Sequence, residues 1–412
     1  MRKAHKRRGL GVAIILAALA ALALAMATPM AASATPTTST ATAGPPCTVS
    51  GPQVLSAGRS AHLSGIIVAA GNSCAAGATH KPPPEPPFNG NPPLLFNGSN
   101  GAASCSFQPC ENGNVMMTAS TGPLVVVPIF WDPAGFPMSS AYKNVILSYL
   151  AGVAKDSGHG QNVFSVLNEY SGNNGQIHYN VQLGSAVEDT NPITSGCTLE
   201  AADTTGIYVD GSGYSACVDD AQLQGQVEDV VTANGLPHNL THIYVLYLPK
   251  AVEGCFLPGE TTLVGPNGQF CTINHEPTAA YCAYHSIDTN AAIYASMNYP
   301  IYQSPVGFTC GTDARFPVIE SPNGNPDADV EISPTSHEIS EAITDPDTQT
   351  GWYDSTFNEI GDDCAYIFGR TRGPSGGYYN QVINGGKYIT QEEFSNKLFA
   401  SSGGTAGCLQ SE

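Results

Sequence analysis

Charge is scarce in this chain, and positive charge most of all. Of 412 residues 12% are charged, and 15 Lys and Arg stand against 34 Asp and Glu, a net charge of −19. Five of the bases (Arg2, Lys3, Lys6, Arg7 and Arg8) crowd into the first eleven positions, and no acid precedes Glu85. Setting those five aside leaves 10 bases against 34 acids, or −24. A surface this anionic repels phosphate backbones and anionic lipid, which argues against nucleic acid or a membrane surface as partner. No Cys-x-x-Cys pair occurs, which removes the zinc ribbon and the thioredoxin-type redox site. No glycine-rich loop ends in Gly-Lys-Ser or Gly-Lys-Thr, so the phosphate-cradling loop of nucleotide hydrolases is also missing.

Only one long apolar run exists, and it lies at the start. Val12 to Ala27 is apolar for 16 residues, behind the basic Met1 to Gly11 and ahead of Ala32-Ser33-Ala34, with Ala25-Met26-Ala27 as a second small-residue site. The run is short of the ~20 residues that span a bilayer. Basic, apolar and small residues in that order read as a secretory signal peptide over residues 1–34, and predict a secreted protein with no membrane attachment after cleavage. Twelve cysteines suit that compartment, where an even count reads as a disulfide framework of up to six bridges.

Composition then divides the chain at about residue 115. Residues 35–115 read as a low-complexity spacer and wrapping segment, with seven prolines between Lys81 and Pro93 and a small disulfide-closed element between Cys47 and Cys74. Residues 116–412 read as a compact domain. Leu124 to Trp131 and His242 to Leu248 have the continuous apolar character of buried strands. Gln176 to Leu183 alternates like a strand, and Ala291 to Met297 is a shorter one. Ser139 to Lys155, Val163 to Tyr170 and Asp219 to Ala233 read as helices. Strands interspersed with helices predict an α/β (α+β) fold. Two long loops, roughly 250–279 and 299–332, hold Cys255, Cys271 and Cys310, and are expected to be stapled.

The chemistry concentrates between Ser333 and Cys364. Ser333 reads as an N-cap, Pro334 as a first-turn proline and Asp345-Pro346 as the stop of a three-turn helix. His337 and Glu341, four positions apart, then project from one face. Two ligands on one helical face are how zincin-type metalloproteases hold zinc, the residue after the first His (here Glu338) acting as general base. In this chain Glu341 replaces the usual second His. Glu359 follows by 18 positions, the distance expected of a third ligand in a Glu-type site. Asp362 or Asp363 can accept the other ring N–H of the imidazole. Asp345 and Asp347 contribute to the site or cap the helix.

Two carboxylates and one imidazole donate more negative charge than two imidazoles and one carboxylate, so bound water is less acidified and harder ions compete with zinc. An acidic helix face without metal is the plainer reading of His-Glu-x-x-Glu, and the position of Glu359 weighs against it. A second set, Asn323, Asn325, Asp327, Asp329 and Glu331, alternates through a Gly/Pro-rich stretch and suggests Ca²⁺, although it lacks the twelve-residue EF-hand frame. His242 and His285 read first as structural histidines and second as substrate-side helpers.

Beyond single motifs, the order Gly122-Pro123-Leu124, Ile129-Phe130-Trp131, Tyr244-Val245-Leu246, Cys255-Phe256 and Tyr281-Cys282-Ala283-Tyr284-His285 resembles the EXORDIUM, or phosphate-induced, protein family. Ser336-His337-Glu338, Glu341-Ala342, Thr344-Asp345-Pro346, Trp352-Tyr353-Asp354, Glu359-Ile360-Gly361-Asp362 and Cys364 resemble its bacterial secreted members, as does Gly385-Gly386-Lys387-Tyr388. The resemblance implies an extracellular protein with a zincin-like core, and it ranks Asp362 above Asp363. It also implies that the scaffold serves without catalysis in plant relatives, which have lost the metal motif. The leading expectation is therefore a secreted metal-dependent hydrolase acting on extracellular protein, peptide or cell-wall material, with His337, Glu341 and Glu359 on the metal. A non-catalytic extracellular binding protein with a structural metal is the alternative. A glycan hydrolase would need two carboxyls flanking a groove.

Overall fold

The computed structural model describes residues 66–68, 70–71, 88–98, 110–208, 210–258, 268–272, 281–301, 308–312 and 319–412. The leader with both its cleavage sites, and Cys47 and Cys74, lie outside the described residues. The chain separates into units 1–42 and 43–412, and the second holds everything that follows.

Its centre is a seven-stranded mixed sheet. Ile66–Val68 (β1), Leu124–Trp131 (β2), Val181–Leu183 (β3), Val187–Asp189 (β4) and His242–Tyr247 contribute to it, together with Tyr281–Ile287 and Ile293–Met297. Between these in the chain come Ala216–Asp219 (β5), Val252–Phe256 (β7) and Phe270–Cys271 (β8), which form a separate three-stranded sheet in the order β8-β7-β5. The remaining central strands are thus β6 (His242–Tyr247), β9 (Tyr281–Ile287) and β10 (Ile293–Met297). The order is β1-β9-β10-β6-β2-β3, with β4 also on β2. β6 runs parallel to β2 and β10, whereas β9 is antiparallel to β10 and β1.

Pro128 stands within β2 although that strand has neighbours on both sides. β3 pairs with Leu124 to Val126 and β4 with Ile129 to Trp131, so the break between them falls opposite Pro128. A residue with no N–H is tolerated there because that part of the edge has no ladder to join.

Side-chain alternation makes three layers. Ile243, Val245 and Tyr247 of β6 face one apolar cluster, and Tyr244, Leu246 and Leu248 face another. The first is covered by Ser140–Lys155 (α1) and Pro326–Thr344 (α3), the second by Asp220–Asn234 (α2) and the small sheet. Ser139 caps α1, its hydroxyl accepting from the Tyr142 N–H at 3.1 Å. The helix buries Ile146, Leu150 and Val153, each worth about 1.5–3 kcal/mol, which fixes α1 against the sheet beside α3. Asp219 and Gln222 form a capping box on α2, and Gly235 ends it at φ 60°.

The mixed α/β class is as expected, and several elements differ in extent. Val163–Glu169 is 3₁₀ rather than α-helix. Gln176 to Leu183 is two short strands, Gly175–Gln176 and β3. The 250–279 stretch contains β7 and β8, and α3 begins inside the stretch read as loop to 332. Four disulfides join described cysteines: Cys197–Cys217, Cys255–Cys271, Cys282–Cys310 and Cys364–Cys408. The stapling expected of Cys255, Cys271 and Cys310 is therefore present. The segment read as spacer supplies β1 to the main sheet, and Leu95–Phe96 pairs with Trp352–Tyr353.

Candidate metal centre

α3 starts seven residues before the expected cap. Asn325 accepts from the Ala328 N–H and Pro326 occupies the first turn, while Pro334 lies inside the helix. Both positions carry a cap residue followed by proline, and the earlier one is used. An interior proline forfeits one helical bond. Here the helix is buried on every side from Ala328 to Thr344, and that packing offsets the loss.

His337, Glu338 and Glu341 lie on this buried helix, each with no exposed surface. His337 Nε2 is 2.9 Å from Glu341 Oε1 and 3.6 Å from Asp362 Oδ1. Nε2 nevertheless makes no hydrogen bond of proper direction. Two donors bound at 2.0–2.1 Å to one tetrahedral zinc sit about 3.4 Å apart, and the observed pair brackets that spacing. Asp362 is delivered by the turn after Glu359: its backbone N–H donates to Glu341 Oε1 at 3.1 Å, and its Oδ2 accepts from the Glu359 N–H at 3.2 Å. Cys364, bonded to Cys408, pins that turn. Asp362 retains 16% side-chain exposure, so solvent reaches the group from its side.

Glu359 is placed differently from the expected third ligand. It is buried, both its carboxylate oxygens lack hydrogen-bond partners, and Oε1 lies 3.9 Å from His285 Nε2. The residue closing the His337–Glu341 group is Asp362. Asp363 is also buried, and burial, then Asp354 and Asp362, push its carboxyl up to about 9. Asp345 caps the end of α3, its Oδ1 accepting from the Gly351 N–H at 2.9 Å, and Asp347 organises the same turn through Thr350.

The five residues expected around Ca²⁺ do not gather. Asn325 is the cap, and Asp327, Asp329 and Glu331 step about 200° apart round the helix. Asp329 accepts from Asn323 and Ser321, Asp327 contacts the Tyr299 hydroxyl, and Glu331 accepts from the Tyr142 hydroxyl at 3.1 Å. The single Gly-x-Ser-x-Gly string, Gly373 to Gly377, lies in a turn with Ser375 exposed and no helix after it, unlike a nucleophile elbow.

Two residues join the group that the motif alone did not include: His285, expected first as a structural histidine, and Gln391. His285 on β9 faces α3 because Ala283, His285 and Ile287 share the face opposite Tyr284. Its Nδ1 is 3.3 Å from Glu338 Oε2 and 3.7 Å from Glu341 Oε2. Strand alternation would have found it had 281–287 been read as a strand. Gln391, for which the sequence gives no signal, contacts His337 Nδ1 at 2.7 Å and donates to the Gly361 carbonyl at 2.8 Å.

Four carboxylates packed round two imidazoles cannot all ionise in this setting without cations. Two like charges 4 Å apart repel by about 4 kcal/mol even at an effective dielectric of 20. Burial, then Glu341 and Asp345, hold Glu359 well above the ordinary carboxylate range, and burial with Glu341 does the same for Asp362. Burial alone would lower His337, but Glu341, Glu338 and Asp362 outweigh it and hold the imidazole well above its usual value. His285 is held below its usual value, burial prevailing over Glu341. The unpartnered oxygens of Glu359, Glu341 Oε2 and the misdirected His337 Nε2 are what a divalent cation would satisfy.

The cysteine sulfurs that also approach one another, Cys197, Cys217, Cys255 and Cys271, are consumed in disulfides and are not ligands. Comparison with protein-family models, curated proteins and solved structures found no match to this chain. The reading of the site therefore rests on its own chemistry.

Proposed function

We propose that this protein is a secreted metal-dependent hydrolase of zincin-like type, acting on peptide bonds of extracellular or cell-wall material. The observation that carries the reading is the convergence of His337 Nε2, Glu341 and Asp362, within 4.8 Å of one another, beside Glu338. Bound there, zinc would supply a Lewis acid for a carbonyl oxygen. His337 and Glu341 would hold the ion from one helix face, and Asp362 would close the set. Glu338 would take the proton of the attacking water, and His285 Nδ1 stands 3.3 Å from its Oε2. The disulfides, the absence among the described residues of any helix long and apolar enough to cross a membrane, and the resemblance to the EXORDIUM family support the extracellular placement.

The test is elemental analysis and peptide hydrolysis on the purified mature protein. Metal is expected in at least stoichiometric amount. His337→Ala should lose the ion it holds, and Glu338→Gln should keep an ion at His337 while hydrolysis falls at least 100-fold. A metal-free wild-type protein refutes the proposal. Full burial of His337, Glu341 and Glu359 favours a second reading, a non-catalytic extracellular binding protein whose metal is structural. That reading predicts bound metal, loss of stability on chelation and no hydrolysis by the wild type.

A further inference from the structure

We propose that the centre holds two metal ions bridged by Glu341, the second bound by His285 Nδ1, Glu338 Oε2 and Glu341 Oε2. The inference deepens the metal reading above and rests on it. Its first support is the way Glu341 divides its oxygens. Oε1 is 2.9 Å from His337 Nε2, whereas Oε2, buried and without a hydrogen-bond partner, is 3.7 Å from His285 Nδ1. A carboxylate presenting one oxygen to each of two imidazoles has the geometry of a bridging ligand. The His285 contacts, 3.3 Å to Glu338 and 3.7 Å to Glu341, again bracket the about 3.4 Å between donors on one tetrahedral ion.

The second support is the tautomer of His285. Its Nε2 is 3.0 Å from the Asp345 carbonyl, an acceptor only, so Nε2 carries the proton. That carbonyl stands at the C-terminal end of α3, where helical carbonyls lack an intrahelical partner. Neutral Nδ1 therefore aims a lone pair at two carboxylate oxygens. Only a proton or a metal ion between them makes that contact favourable. A backbone carbonyl fixing the far ring nitrogen is the usual support of a ligating histidine.

Glu359, fully buried with neither oxygen hydrogen-bonded, lies 3.9 Å from Nε2 of the same ring, on the side away from this ion, and is not among its ligands. Paired ions about 3.5–4 Å apart suit hydrolysis in which both the attacking and leaving atoms need charge stabilisation.

The experiment strips the intact purified protein with EDTA, titrates it with ZnCl₂ and counts bound zinc after desalting. Two zinc ions per chain are expected for wild type and one for His285→Ala. Loading with Mn²⁺ should give a spin-coupled EPR spectrum at two equivalents, replaced by an isolated six-line signal in His285→Ala. If that variant does not fold, the wild-type count and spectrum decide. One zinc per chain overturns the pair and leaves the hydrolase proposal standing. Two uncoupled manganese ions overturn the bridge, and no metal overturns both proposals.

Discussion

Glu331 sits in the second turn of α3 with one oxygen accepting from the Tyr142 hydroxyl and the other without a partner. Burial drives its carboxyl up to about 8; the Tyr142 bond pulls it down and Asp327 adds to the rise. In the unfolded chain it titrates near 4.5, so between those values the folded form keeps a proton that the unfolded form has released. Its contribution to stability is complete below about pH 4.5 and is lost as pH rises through about 8. Glu331→Gln, which cannot ionise, should be more stable than wild type at pH 8 by about 1–3 kcal/mol. The difference should vanish at pH 4.5; thermal melts across that range check it.

Gly361 is required for a different reason. Its φ of −82° suits any residue, but a Cβ would stand 2.5 Å from His337 Nδ1. Gly361→Ala should displace the imidazole and weaken zinc binding at least tenfold while the fold persists, measured by competition with a chelator. Single residues also show what the sequence could reveal. His337 and Glu341 were legible because one helix presents both. His285 is 52 positions upstream of His337 and Gln391 is 54 downstream, and only the folded chain joins them.

At the scale of elements, strands with strong apolar runs and helices with clean caps were readable: β2, β6, α1 and α2 lie close to their expected bounds. α3 was misplaced at its start because Asn325-Pro326 and Ser333-Pro334 offer the same signal. Packing around the buried helix, which local sequence does not report, lets it run through the second. Among the strands missed, β7 and β9 contain glycine, cysteine or histidine among their apolar residues and are buried on both faces, so no polar face marks them. The turn carrying Glu359 and Asp362 has little regular structure and depends on the Cys364–Cys408 bridge, which closes a separation of 44 residues. Removing it by Cys364→Ser with Cys408→Ser should cost about 4 kcal/mol of stability. The loss of zinc affinity should exceed that of the double variant Cys255→Ser with Cys271→Ser, whose bridge is on the opposite face of the sheet. Denaturant unfolding and zinc titration of both double variants measure the comparison.

Across the whole molecule, the anionic balance of the sequence and the buried carboxylates of the centre have a common consequence, since binding cations relieves repulsion in the folded state alone. EDTA should lower the melting temperature by roughly 3–5 °C for each ion removed, relative to protein at a hundredfold excess of free zinc over Kd. Restoring zinc should reverse the change, as calorimetry would show; a melting temperature indifferent to EDTA and zinc would remove the metal from any part in stability. The central ladder sets a further condition. Val125 of β2 and His242 of β6 are partners, 117 positions apart in the chain. At 5–20 residues per second, a ribosome needs roughly 6–23 s to make the second after the first. For that interval Leu124 to Trp131, eight residues of almost unbroken hydrocarbon, has no native neighbour in that direction, and the nascent chain must be sheltered from aggregation until its partner strand is synthesised.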